Sequence, residues 1–164
     1  MPMLQIAEWL ESIQIAIWVR ESLWGFPIVV ATHIVALTMS VGMLVWFDLR
    51  LLGASMPDCP VSTLYRRLAP WMLFGFAVMF VSGGILFAAY ATKAYVNVYF
   101  RIKVAALLLA GVNAVLFHRL TERGIAGWDS GVKPSGPARA AGFISIGLWT
   151  VVILAGRMMS YTMF

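Results

Sequence analysis

Charge is scarce in this chain. Only 12% of its 164 residues are Asp, Glu, Lys or Arg, against roughly a quarter in an average soluble domain. That deficit, beside 62% hydrophobic residues, 7 Trp, 10 Phe and 10 Met, makes lipid the expected solvent. A single cysteine, Cys59, rules out an intrachain disulfide. Two histidines, His33 and His118, rule out a histidine-rich metal cluster. No Cys/His zinc spacing, Gly-rich phosphate loop, nucleophile elbow or pair of intramembrane carboxylates is present. Those absences point away from an enzyme, and the lack of mid-span acids argues against a proton-coupled pump. The first residues carry Glu8 and Glu11 where a cleaved signal peptide would carry Lys or Arg. The net charge of +5 is small and reflects loops, so nucleic acid is not an expected partner.

What the chain does have is long apolar runs. A hydrocarbon core about 30 Å thick needs roughly 20 apolar residues in a helix. Leu23 to Phe47 and Leu68 to Thr92 carry no formal charge. A third run starts near Val98 with Arg101 and Lys103 in its first turns and is uncharged from Val104 to Phe117, and a fourth runs from Ala140 to Ser160 with Arg157 near its end. The fold class expected is therefore an all-α, four-transmembrane-helix bundle forming one membrane domain over residues 1–164, with spans at about 23–48, 68–92, 98–118 and 140–160. Ser22 is an expected N-cap, Pro27 falls in a first turn, and Gly53 ends the first span. Gly83-Gly84 inside the second span permits close helix contact. Before the first span, Ile6, Trp9, Leu10, Ile13 and Ile17 recur at helical spacing opposite Glu8, Glu11 and Ser12. Residues 3–20 thus form an amphipathic helix lying at the interface. The loop from Thr121 to Arg139 is rich in Gly, Pro and Ser, a composition that predicts mobility.

The basic residues orient the bundle. Arg50, Arg66, Arg67, Arg119, Arg123, Lys133 and Arg139 flank the first and third loops, whereas Arg20, Lys93, Arg101, Lys103 and Arg157 lie towards the other side. The positive-inside rule places the first group in the cytoplasm and both termini in the periplasm of an inner membrane. Val45, Phe47 and Asp48 of the first span align with Val115, Phe117 and His118 of the third at an offset of about 70 residues, which a parallel duplication and chance explain equally well.

Ionisable groups inside a bilayer are costly, so each calls for a reason. His33 lies near mid-membrane among small and apolar residues, and neutral imidazole is the usual ligand of b-type haem. The alternative is a hydrogen bond to a neighbouring helix. His118 ends the third span, so a haem clamped between the two histidines faces a depth mismatch on the order of 10 Å; the alternative for His118 is an interfacial residue. Met79, near the centre of the second span, is a candidate second axial ligand, as is a second copy of His33 in a homodimer, and the iron could also be five-coordinate. Arg101, Lys103 and Arg157 fall towards the end nearer His33, either as an anion site for haem propionates or as side chains snorkelling to headgroups. Asp48 and Arg50 are expected to face the interface, and Asn113 to hydrogen-bond to a neighbouring helix.

The run His33 to Gly53, HIVALTMSVGMLVWFDLRLLG, and the run Phe100 to His118, FRIKVAALLLAGVNAVLFH, resemble a family of small, uncharacterised bacterial four-span proteins. That family is distantly similar to CopD-type copper-resistance membrane proteins and to four-helix b-type cytochromes. The resemblance implies that His33, Lys103, Asn113 and His118 matter, and that with two histidines in place of four a protomer has at most one bis-histidine haem. The resulting expectation is a b-type haem electron-transfer or haem-anchoring subunit that is a homodimer or part of a larger membrane complex. The cofactor-site candidates are His33, His118, Lys103, Arg157 and Met79, the two histidines being the metal ligands. The alternatives are a non-catalytic accessory subunit of a respiratory or photosynthetic complex, and CopD-like copper handling through His33 and methionines.

Overall fold

In a computed structural model, which describes residues 2–56, 58–121 and 134–163, all regular structure is helical. The order is α1 (Pro2–Glu11), α2 (Gln14–Glu21), α3 (Gly25–Leu52), α4 (Val61–Ala89), α5 (Ala91–Val96), α6 (Val98–Thr121) and α7 (Gly136–Met163). Helices α3, α4, α6 and α7 are each long and apolar enough to cross a bilayer. The 28 residues of α3 reach about 42 Å, more than the hydrocarbon core requires. Arg123, Lys133 and most of the loop whose composition predicts mobility lie outside the described residues.

Each long helix extends past its expected span at the end nearer the first and third loops, whereas α4 stops at Ala89, short of the expected Thr92, where Tyr90 separates it from α5. α4 begins at Val61, because exposed Arg66 and Arg67 can occupy a helix while their charges stay outside the apolar zone. Pro70 is accommodated within it. Gly53 ends α3 as expected: at φ 77° it lets its own N–H reach Arg50 O and the N–H of Ala54 reach Leu49 O. Ser22 lies outside α3, yet its hydroxyl accepts the N–H groups of Trp24 and Gly25 and so serves the helix start from two residues further out.

The N-terminal segment departs from a single amphipathic helix. It breaks at Ser12 and Ile13, where Ser12 Oγ donates to Trp9 O at 2.6 Å and Ile13 is extended. The residues it buries are small, Ala7, Ala16 and Val19, whereas Ile6, Trp9, Ile15 and Trp18 stay exposed. α1 packs on α5, and α2 packs on α4 and α3. Glu11 ties the two parts together by accepting the N–H of Thr92 at 2.8 Å and its hydroxyl at 2.6 Å, with Arg20 at 4.0 Å.

α3 packs along both α4 and α7, and α6 packs along α7. The central core joins Ala36, Val41, Met79, Ala106, Ala110, Trp149 and Val152, with the Trp149 ring 5.3 Å from that of Phe76. A second cluster at the loop end holds Phe47, Leu51, Val61, Leu64 and Ala138. Phe47 and Phe117, matched by the 70-residue offset, meet edge-on at 6.0 Å, so the offset pairs residues at one depth on parallel helices. Ala36 and Ser40 face Gly75, where a Cβ would come within 3.0 Å of the Ser40 backbone N. That small-residue pair is used inside the protomer, between α3 and α4.

Candidate functional site

Four helices bring a polar group or a glycine to one level of the bundle, at the end covered by α1, α2 and α5. His33 is the ninth residue of α3, about 12 Å from its start. Ser82 and Gly83 lie about 10 Å before the end of α4, Lys103 about 8 Å into α6, and Gly156 about 10 Å before the end of α7. The pairing of antiparallel helices sets these depths, and the identity of each residue decides what meets there.

The half-buried His33 ring is held by α4. Its Nδ1 lies 3.0 Å from Ser82 Oγ. Ser82 is itself buried, and its hydroxyl donates to Val78 O at 2.7 Å, the usual back-bond of a helical serine. With the serine proton used there, Nδ1 carries the hydrogen and donates to Oγ. This pairing is that of the Nδ1–H tautomer, in which Nε2 would be the acceptor nitrogen. The Met79 carbonyl lies against the same ring. Gly83 makes room for it: a Cβ at this position would meet His33 Cε1 at 3.0 Å. The expected hydrogen bond to a neighbouring helix is thus present, to Ser82 of α4, with the Met79 carbonyl of the same helix a further partner of the ring.

Lys103 acts electrostatically on His33 from α6. Its stem and Nζ run over Gly156, whose added Cβ would lie 3.6 Å from Nζ. The other two cations of the expected constellation are not brought to His33. Arg157 is exposed, with its guanidinium 4.8 Å over the Tyr161 ring and donating to Tyr161 Oη at 3.0 Å. Arg101 is exposed, donates to Tyr95 O and lies over the Tyr95 ring. Met79 is 4% exposed and packed in the central core with Ala36 and Trp149. His118 is exposed near the far end of α6, 15 residues and so about 22 Å beyond Lys103. Asn113 donates from Nδ2 to Ala141 O at 3.0 Å, the interhelical bond expected of it.

Beyond this level the bundle is closed by aromatic rings. Phe87 and Phe100 stack at 5.0 Å, bridging α4 and α6, and Phe26 meets Tyr90 edge-on at 5.7 Å. In the other direction α4 and α6 separate, leaving an apolar groove of about 630 Å³ lined by Phe80, Val104, Leu107, Leu108 and Gly111 among others. Val104 adjoins Lys103, so the groove begins at the level of the polar site. Among the described residues no three His, Cys, Asp or Glu side chains converge as a metal-binding group.

Sequence reasoning missed two features. Ser82 as the partner of His33 was signalled only by a lone polar residue beside Gly83-Gly84. Asp48 and Arg50, expected at the interface, are instead 4% and 7% exposed. Arg50 Nε donates to Cys59 O at 2.8 Å, and Ser145 hydrogen-bonds to the Asp48 carboxyl. No curated protein and no solved structure matches the chain. A family model does match, over residues 21–162, a stretch that contains every site residue named above; the chain belongs to this family of unknown function, DUF6644.

Proposed function

We propose that this chain is a multi-pass inner-membrane protein that holds a b-type haem at His33, as an electron-transfer or haem-anchoring subunit. The observation that carries the reading is the half-buried His33 imidazole, held against α4 with its Nδ1 3.0 Å from Ser82 Oγ, whose own proton goes to Val78 O. Metal-bound histidines have this arrangement: the second nitrogen donates to a protein acceptor, which sets the tautomer and aims the ring. Lys103 supports the reading as a basic side chain at a similar depth on α6, suited to a propionate. The open α4/α6 groove of about 630 Å³ starts beside Lys103 at Val104 and is lined by apolar residues of α6 and Phe80. Bound at Nε2, a haem would supply a one-electron couple. The chain's own residues do the rest: Ser82 orients the ring, Gly83 gives it space, Lys103 offers a basic group, and the Phe87–Phe100 stack spans α4 and α6 at that end. A second ligand to such a group would come from Met79 or from His33 of a second copy, or would not be a protein group. His118, about 22 Å along α6 from Lys103, better suits an interfacial role than that of a ligand to the same iron.

Embedding in lipid is supported by the outward faces of the long helices, where Leu73, Phe74, Phe80 and Leu108 are each at least 60% exposed. Water-soluble monomers rarely show such continuous apolar surface. The positive-inside bias favours cytoplasmic first and third loops and periplasmic termini. A second reading, an accessory subunit packed against a larger membrane complex, is favoured by the open apolar flank between α4 and α6. An optical and metal analysis of the protein purified from its native membrane separates these readings. A Soret band with sharp α-bands on reduction is expected. Colourless protein that co-purifies with a complex supports the accessory role, and colourless protein carrying copper supports the CopD-like alternative.

A further inference from the structure

At the end of the bundle opposite His33, a second ionisable group is enclosed. Asp48 lies one turn before the end of α3 and is 4% exposed. Ser145 of α7 hydrogen-bonds to its carboxyl, yet Oδ2 has no hydrogen-bond partner among the described residues. α7 presses directly on this turn: a Cβ at Gly142 would come within 3.3 Å of the Asp48 carbonyl oxygen. Arg50, two residues on, points about 200° round the helix and gives its Nε to Cys59 O. On the neighbouring elements at this end, Tyr65 packs against Phe47, and Arg66, His118, Arg119 and Arg139 are exposed. None of them reaches Oδ2.

A carboxylate kept ionised in such a place, with one oxygen unpartnered, costs several kcal/mol, and adding a proton removes the charge. We infer that Asp48 is a proton-binding site of the bundle, a neutral carboxylic acid in the resting protein. Binding forms the carboxyl O–H bond with a proton drawn from water at the loop end and requires no other reactant. The site is independent of the haem reading, since Asp48 lies about 22 Å along α3 from His33.

The full-length protein in lipid tests this by infrared spectroscopy at neutral pH. The wild type should show the C=O stretch of a protonated carboxylic acid, shifted in D₂O and absent in Asp48→Asn. A band that is missing from the wild type, or unchanged in the variant, overturns the inference. If the variant does not fold, carboxyl-¹³C aspartate labelling of the wild type gives the answer alone. The chain has three aspartates, Asp48, Asp58 and Asp129. One carboxyl carbon should keep the shift of the acid form at neutral pH, and three carbons with the shift of the ionised form overturn the inference.

Discussion

Gly75→Ala should loosen the bundle where α3 and α4 are closest. The added Cβ would lie 3.0 Å from both Cβ and N of Ser40 and 3.2 Å from the Ala36 carbonyl oxygen. Carbon contacts are most favourable at about 3.5–4.0 Å, so the helices must part by about 0.5–1 Å. Two of the three atoms are backbone, and no rotamer change relieves them. Overpacking of this kind costs about 1–3 kcal/mol. In a chain of this size each kcal/mol lowers Tm by about 2–4 °C, which gives a fall of about 2–12 °C. Gly147→Ala is the control, because no atom lies within 4 Å of its added Cβ. Both variants share the gain in helix propensity, so the difference between them isolates the steric cost. Thermal unfolding in one detergent, followed by tryptophan fluorescence, reads that difference. Equal midpoints for the two variants would refute the described α3/α4 contact.

Three further outcomes are expected. Ser82→Ala removes the acceptor of His33 Nδ1–H and should weaken haem binding about 10–100-fold in a titration of apoprotein, as loss of a supporting hydrogen bond does at metal sites. Glu11→Ala removes the acceptor of both Thr92 groups and should loosen α1 from α5, at about 1–3 kcal/mol; faster amide exchange across residues 3–11 with unchanged exchange in α3 measures it. Reporter fusions after Asp58 and near Ser130 should read cytoplasmic and those at both termini periplasmic; the reverse pattern at all four sites would invert the topology.

The four long helices were legible because a bilayer demands about 20 apolar residues each, and that demand is written as composition. Their ends were not, because Arg66, Arg67 and Arg139 sit on helical turns that composition treats as loop. His33 stood out as a lone imidazole at depth, and counting residues set it two or three turns from the end where Lys103 lies and away from His118. Counting gives depth but not azimuth. For that reason Arg157 and Lys103 looked equivalent, although Arg157 turns outward to Tyr161. The same blindness hid the burial of Asp48, since a charge near a helix exit reads as interfacial until the face it occupies is known. The break at Ser12 was hidden too, because the apolar spacing runs through it without interruption.

The most direct test of the haem reading is His33→Ala in the intact membrane protein, read by the haem spectrum and by the amount of chain inserted. Insertion depends on apolar length summed over each helix, and the variant removes a polar group from the bundle. The expected result is protein at wild-type level in the membrane with its haem lost or strongly reduced, while His118→Ala, altered at the far end of α6, keeps its haem. Full haem occupancy with an unchanged spectrum in His33→Ala would contradict the assignment of His33 as the ligand.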